Sequence, residues 1–108
     1  MEEKKLLSLL GLARRAGRLS LGNDPVLEAI ANKSSRLVLL AADLAPRTAR
    51  GVKAAAEKSG VPVLCLRQTM DVIGAAVGKR SGVLSVNDEG FAVNVRKLNA
   101  MDREDANL

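Results

Sequence analysis

The hydrophobic residues of this chain are grouped into short unbroken runs and into longer stretches with helical spacing. Arg36–Pro46 contains an aliphatic run that ends in Ala-Ala-Asp, a pattern typical of a strand buried on both faces. Pro46 can begin a helix over the alanine-rich residues 47–59. Gly60 can end this helix, and Val61–Leu66 then predicts a second buried strand. A strand, a helix and a strand in this order indicate a layered α/β core.

Elsewhere the spacing of apolar residues and the positions of Gly, Pro and Thr predict three further helices and two further strands. These are a helix over residues 3–16, a strand at Arg18–Leu21, a helix from Gly22–Pro25 to about Asn32, a helix from Thr69 to Val77 and a strand at Val83–Val86. The glycines Gly17 and Gly78 stand where the first and the last of these helices should end.

The residues after the last predicted strand allow two interpretations. Asn87–Gly90 suits a hairpin turn before another strand. Phe91, Val95 and Leu98, however, lie on one face of a helix, and we prefer a final helix. The acidic residues from Asp102 onward predict a frayed tail.

The complete order, α-β-α-β-α-β-α-β-α, predicts a three-layer α-β-α sandwich with a mixed sheet of about four strands. A chain of 108 residues is long enough for one core and too short for two. We therefore predict a single α/β domain at residues 1–101, followed by an acidic tail at residues 102–108.

Charge is unevenly distributed along the chain. The net charge is +5, but Lys4–Ala100 holds sixteen Lys and Arg against seven Asp and Glu, because the other acidic residues lie near the two ends. Such a basic body suits a polyanionic partner, and simple solubility is the alternative explanation. Phe91 is the only aromatic residue. Recognition of single strands by base stacking is therefore disfavoured, and folded RNA is favoured.

The residue types that most catalytic and metal sites need are missing. The chain has no His and a single Cys, Cys65, and no carboxylate pair stands at metal or acid–base spacing. Gly74–Ser81 resembles a phosphate-binding loop only superficially, because its first two glycines are too close together. We therefore expect no enzyme activity, no cofactor and no metal. Cys65 is predicted to be buried as a small hydrophobic residue in its strand.

The sequence also lacks the signals of membrane insertion and export. No apolar run approaches the roughly 18 residues that span a bilayer. The N terminus does not have the ordered basic and apolar regions of a signal peptide. These observations predict a cytoplasmic protein that does not contact a membrane.

Two loops combine features suited to a phosphate backbone. In Gly22–Pro25 a glycine lets the main chain approach a ligand, and the helix start offers backbone N–H groups to an anion or a base edge. An ordinary capped helix start is the alternative explanation for Asn23 and Asp24. The second loop is Arg67–Thr69, which follows a predicted buried strand.

Four further basic residues are expected to add phosphate contacts. Lys79 and Arg80 should lie beside these loops in such a fold, and Arg18 and Lys33 bracket the helix that follows Gly22. The basic side of the helix at residues 47–59 is interpreted instead as a solvated face. A cluster of such contacts would make binding strongly dependent on salt.

Two short motifs resemble a known family. The turn Ala41-Ala42-Asp43 with Pro46 three residues later, and the sequence Gly60-Val61-Pro62-Val63 at the next strand, resemble the ribosomal L7Ae/L30e family of small RNA-binding proteins. The best-known members of that family bind kink-turns. The resemblance runs from about Leu6 to Phe91, and it implies the three-layer fold and RNA binding.

The resemblance extends to the two loops, with departures. The Gly22–Pro25 loop is similar to the family's signature of glycine, any residue, Asn, Glu and, three residues on, Lys. Gly22 matches, whereas Asp24, Pro25 and Glu28 stand where the family has Asn, Glu and Lys. Those family residues are implied to read the sheared G·A pairs of a kink-turn. Arg67–Thr69 is similar to an Arg-Ser-Lys turn whose basic side chain meets phosphate.

We therefore predict a bacterial stand-alone family member that binds structured RNA, a kink-turn or a similar internal loop, without catalysis. Ribosomal RNA or a ribonucleoprotein is a candidate partner, and a monomer is expected. One alternative is a protein-interaction module that keeps the fold without specific RNA recognition. Another is an accessory RNA-binding domain that assists a modification enzyme. The predicted RNA-binding residues are Arg18, Gly22, Asn23, Asp24, Lys33, Arg67, Gln68, Thr69, Lys79 and Arg80.

Overall fold

The computed structural model describes residues 1–106, so the last two residues of the predicted tail, 107–108, lie outside the described residues. Helices and strands alternate along the whole described chain. In order they are α1 (Glu2–Arg15), β1 (Leu19–Leu21), α2 (Asn23–Ala31), β2 (Leu37–Leu40), α3 (Pro46–Lys58), β3 (Val63–Cys65), α4 (Met70–Val77), β4 (Val83–Val86) and α5 (Glu89–Ala106).

The strands form one mixed sheet in the order β1-β4-β2-β3. β4 is antiparallel to both of its neighbours, and β2 and β3 are parallel. Helices α1, α4 and α5 pack on one face of the sheet, and α2 and α3 pack on the other. The predicted three-layer α-β-α sandwich is confirmed, and so is the preference for a final helix.

Strand β2 lies inside the sheet and divides the core into two halves. Leu37 and Leu39 point to the face covered by α1, α4 and α5, whereas Val38 and Leu40 point to the face covered by α2 and α3. All four side chains are buried, which explains why this strand is an unbroken aliphatic run in the sequence. The chain enters α3 through Pro46 at the first turn, as predicted.

Strand β3 differs from the prediction of a second buried strand. It occupies an edge of the sheet, so only β2 pairs with it. Val63 and Leu64 are half-buried and Cys65 is exposed. The prediction that Cys65 is buried was therefore wrong, because an edge strand lacks the cover that a central strand receives on both sides.

The C-terminal helix also extends further than predicted. α5 continues to Ala106, and the side chain of Asp102 is fully buried. Residues 102–106 are therefore helical rather than frayed. Among residues 1–106, none of the helices is both long enough and apolar enough to span a membrane.

Candidate nucleic-acid interface

The sheet topology brings four loops together at one end of the strands. Because β4 runs opposite to the other strands, its beginning lies beside the ends of β1, β2 and β3. The loops at this end, here called the loop edge, are Gly22–Pro25, Gly78–Gly82, Ala41–Pro46 and Leu66–Thr69, in the spatial order of their strands.

Short hydrogen bonds connect neighbouring loops of the loop edge. The donor and acceptor pairs are Gly22 N–H to Val83 O at 2.9 Å, Ala41 N–H to Gly82 O at 2.9 Å, Ala42 N–H to Gln68 O at 2.9 Å, and Met70 N–H to the Asp43 Oδ1 atom at 2.9 Å. Asp43, the acidic residue of the Ala-Ala-Asp turn, thus fixes the loop after β2 to the start of α4. The four loops form one continuous surface.

Helix α2 begins earlier than its proline suggested. Gly22 is the residue before the helix and has a φ of 97°, a conformation that favours glycine. Asn23 and Asp24 occupy the first two helical positions, are exposed, and do not cap the helix through their side chains. The side chain of Asp24 instead places a negative charge in the first turn, where it stabilises the helix. The first-turn N–H groups of Asn23 and Asp24 have no acceptor within the helix.

Lys79 and Arg80 lie in the loop that leads into β4, next to β1. Both are exposed, and Arg80 Nε donates to Asp71 Oδ1 at 2.6 Å. The side chains of Arg80 and Asp71 are 61% and 81% exposed, so this ion pair stabilises the fold little and leaves the guanidinium available for a phosphate. The absence of a side chain at Gly74 lets this loop pack closely against α4, because a Cβ at this position would lie 2.8 Å from the Arg80 Cα atom.

Arg67 has a different environment from the one predicted. Its guanidinium forms a two-point ion pair with Asp102, through Nε–Oδ2 and Nη2–Oδ1 distances of 2.8 Å each. Its Nη2 atom also lies 3.1 Å from Glu3 Oε2. Two carboxylates therefore neutralise the Arg67 charge and join the loop after β3 to α1 and α5. Arg67 follows β3, at the other side of the sheet from β1, which carries the Gly22 loop.

Gln68, one of the predicted RNA contacts, is buried. Its Nε2 atom donates to Asp102 Oδ2 at 2.8 Å and to Glu3 Oε2 at 3.1 Å. Burial by itself raises the pKa of Asp102, but the hydrogen bonds from Arg67 and Gln68 outweigh it, so the pKa of this carboxyl lies below its ordinary value. Sequence reasoning missed Asp102 because its partners are 34 and 35 residues away.

Thr69 and Arg14 hold the two ends of α4. Thr69 caps the helix by accepting a hydrogen bond from Val72 N–H at 3.4 Å, as predicted. Arg14 was not predicted as a site residue, yet its Nη1 atom donates to Val77 O at 2.5 Å. Its position in the last turn of α1 gave only a general signal of a helix end. Arg14 adds a positive charge beside Gly78 and Lys79.

Arg18 and Lys33 do not belong to the loop edge. The carbonyl of Arg18 accepts from Asn87 N–H, after the end of β4, and Lys33 follows α2 on the way into β2. Both therefore lie at the opposite edge of the sheet. The structure does not place these two residues with the loop edge, because Arg18 precedes β1 and Lys33 follows the end of α2, whereas the loop edge holds the end of β1 and the start of α2.

Comparison with known proteins identifies relatives that match most of the length of this chain. The model of the "Ribosomal protein L7Ae/L30e/S12e/Gadd45 family" matches residues 4–95. "RNA-binding protein YlxQ" of Bacillus subtilis (strain 168) is 38% identical over 85 residues, which cover 78% of this chain and 84% of that protein. The Enterococcus faecium protein of the same name is 30% identical over 95 residues, which cover 88% and 91% of the two chains.

Solved structures agree with the fold described above. A Bacillus halodurans protein of unknown function has a TM-score of 0.83 and 33% identity, covering 89% of this chain and 97% of its own. The Giardia lamblia 15.5kD RNA binding protein, at 20% identity, shares the fold with a TM-score of 0.75, covering 93% of this chain and 86% of its own. Both of the named bacterial relatives carry the name of RNA-binding proteins, in agreement with the RNA binding expected from sequence. The resemblance seen in the sequence is confirmed, and the chain belongs to the ribosomal protein L7Ae/L30e/S12e/Gadd45 family.

Proposed function

We propose that this protein binds structured RNA through the loop edge, without catalysis. The observation that carries the proposal is the convergence of four hydrogen-bonded loops on a surface that combines the α2 start at Gly22 with Lys79 and Arg80. The family match and the RNA-binding relatives support this choice of ligand.

The chemistry of the loop edge favours a folded RNA over a single strand. Backbone N–H groups at the start of α2 can donate to a phosphate or a base edge, and the cations of the next loop can neutralise phosphates. Phe91, the only aromatic residue of the chain, belongs to α5 and packs against the core. The loop edge therefore has no aromatic platform for stacking bases, and shape is the feature left for it to recognise.

A kink-turn or a similar internal loop is the finer form of this proposal. Gly22, Asn23 and Asp24 are the residues proposed to meet the internal loop, with Lys79, Arg80 and Arg14 on the flanking backbone. Arg67 and Gln68 are assigned instead to holding the loop after β3 in place, since both are bonded to Asp102. Ribosomal RNA or a ribonucleoprotein as partner, a monomeric state and a cytoplasmic location stay predictions.

Fluorescence anisotropy with two RNAs of equal length tests the proposal. One RNA contains a kink-turn, the other is a fully paired duplex, and each is titrated at several salt concentrations. We expect tighter binding of the kink-turn RNA at every concentration. Equal affinities for the two RNAs would mean that the protein binds RNA only by non-specific charge attraction. No binding to either RNA would favour a protein-interaction module.

A pair of matched variants tests the position of the interface. Lys79→Gln/Arg80→Gln should weaken binding of the kink-turn RNA and reduce the slope of log affinity against log salt by about 0.9 for each phosphate that is no longer neutralised. Arg50→Gln/Lys53→Gln removes the same charge from exposed positions on α3 and serves as the control. If the control loses affinity while the loop variant binds normally, the wrong face has been chosen.

A gain-of-function variant tests the role of the Gly22 loop. Pro25→Glu/Glu28→Lys restores the family pattern: it moves the carboxylate from position 28 to position 25 and places a lysine at position 28, so α2 becomes more positive on balance. Kink-turn affinity should rise, because the repulsion between Glu28 and phosphate disappears. An unchanged or lower affinity, with the circular dichroism spectrum of the native fold, would show that this loop is not the recognition site.

A further inference from the structure

A second basic surface lies at the edge of the sheet opposite the loop edge. It is a groove of about 740 Å³ between the end of α2, the end of α3 and the first half of α5. Four basic side chains line it, against the single carboxylate of Glu89. They are Lys33, Arg36, Lys58 and Arg96.

These four cations have no carboxylate partner in the described part of the chain. Among the described side chains of residues 1–104, the ion pairs involve only Arg67 and Arg80 as cations. All four groove cations are exposed. Like charges gathered in one groove repel one another, so they favour an anionic ligand from outside the chain.

The backbone of Lys33 adds an independent observation. Lys33 has a φ of 66°, and it is the only residue other than glycine with a positive φ among the described residues. It follows α2 at the position where helices usually end in glycine, because side chains are strained in this conformation. The positive φ belongs to the turn that ends α2, in which Lys33 N–H donates to Ile30 O and Ser34 N–H donates to Ala29 O, and this turn places the lysine at the mouth of the groove.

The groove continues along the flank of β3. Arg96 lines both this groove and a neighbouring cavity of about 400 Å³, which Arg103 also lines. The basic surface is therefore elongated, running from Lys33 across Arg96 to Arg103. An extended polyanion matches such a path better than a small phosphate compound, which needs an enclosed pocket with converging donors.

We propose that this basic groove binds the phosphodiester backbone of RNA, independently of base sequence and separately from the loop edge. The choice of RNA over DNA rests on the proposed function. Exposed lysine and arginine side chains on an open surface contact phosphates, and such contacts position a nucleic acid without reading its sequence. The protein then has two RNA-contacting surfaces. The loop edge recognises shape, and the basic groove, which begins at the opposite edge of the sheet and runs along the flank of β3, adds affinity for any paired segment.

The test uses a fluorescein-labelled RNA duplex of about 20 base pairs with no internal loop, titrated with the full chain at several salt concentrations. The groove variant is Lys33→Gly/Arg36→Gln/Arg96→Gln. Its affinity should fall at least about tenfold, and its salt slope should decrease by between about two and three units, since each neutralised phosphate contributes about 0.9. The control, Lys4→Gln/Lys5→Gln/Lys97→Gln, removes three exposed charges outside the groove and should change both quantities much less.

The single variant Lys33→Gly separates binding from folding. It removes one groove charge and also relaxes the backbone, so it should lower the salt slope by about one unit without lowering the melting temperature. Equal losses in the groove variant and the control would overturn the proposal, because net charge alone would then explain binding. Displacement of the duplex by a polyglutamate peptide of equal charge at the same concentration would also overturn it, in favour of an acidic protein partner.

Failure of this proposal is distinguishable from failure of the proposed function. The preference of the wild-type protein for a kink-turn RNA over a duplex tests the loop edge alone. The difference between the groove variant and its control, measured on the duplex, tests the groove alone. The outcome of either experiment therefore does not determine the outcome of the other.

Discussion

Replacing Asp102 by Asn removes a buried negative charge while keeping the volume of the side chain. Asp102 accepts three hydrogen bonds of 2.8 Å from Arg67 and Gln68, and an Asn at this position would direct an N–H₂ group at one of these donors. Breaking a buried ion pair costs about 3–5 kcal/mol. The Arg67 side chain is 40% exposed and keeps Glu3 at 3.1 Å, so we expect Asp102→Asn to cost about 2–3 kcal/mol.

Urea and thermal denaturation at pH 7, followed by circular dichroism, measure this cost. A loss of about 2–3 kcal/mol should lower the melting temperature by roughly 10–20 °C in a domain of this size. The control is Asp71→Asn, which breaks the exposed pair with Arg80 and should cost less than about 1 kcal/mol. Equal losses from the two variants would refute the claim that burial makes Asp102 important.

The pH dependence gives a second check of the same reasoning. The pKa of Asp102 is lower in the folded protein than its ordinary value, so its carboxylate stabilises the fold fully above the unfolded pKa of about 3.9. This contribution is lost as the pH falls through the folded pKa. The stability difference between wild type and Asp102→Asn should therefore be constant above about pH 5 and become smaller in stronger acid. A difference that stays constant down to about pH 2 would contradict this assignment.

Three further variants test particular features of the fold. Gly74→Ala places a Cβ 2.8 Å from the Arg80 Cα atom, so the loop that contains Arg80 must move. We expect the free energy of unfolding, measured by urea denaturation, to fall by about 1–3 kcal/mol and RNA binding to weaken. An unchanged urea midpoint would show that the loop adapts freely. Lys33→Gly relieves a φ of 66° and should stabilise the protein by about 0.5–1 kcal/mol, whereas a lower melting temperature would show that the lysine side chain supports the fold. Cys65→Ser should change stability by less than about 0.5 kcal/mol, because Cys65 is exposed; a loss above about 1 kcal/mol would favour the buried position expected from sequence.

The elements with local signals could be predicted from the sequence. Thr69 and Gly78 bound α4 as expected, because a capping hydroxyl and a left-handed glycine act within one helical turn. Pro25 misled the prediction for α2. Proline is common at the first helical position, but Gly22 allows the helix to begin at Asn23, which places Pro25 third.

Features that depend on strand order could not be predicted in the same way. The aliphatic run around Cys65 resembles that of a central strand, and only the order β1-β4-β2-β3 shows that it lies at an edge. Strand direction separates Arg18 and Lys33 from the loop edge, since they precede β1 and β2, whereas Gly22 follows β1. The ion pair of Arg67 with Asp102 joins residues 35 positions apart, and acidic residues near a chain end give no local sign of such a partner.

The exposed position of β3 has a consequence for how this protein behaves at high concentration. An edge strand offers unpaired backbone groups to strands of other molecules, which is a common route to aggregation. β3 has only three residues, and the Arg103 guanidinium donates to the carbonyl of Cys65 at its end. A short strand whose last carbonyl is already bonded, beside a positive charge, is a poor template for sheet extension between molecules. Arg103→Ala would therefore be expected to promote self-association while leaving the fold of the single molecule intact.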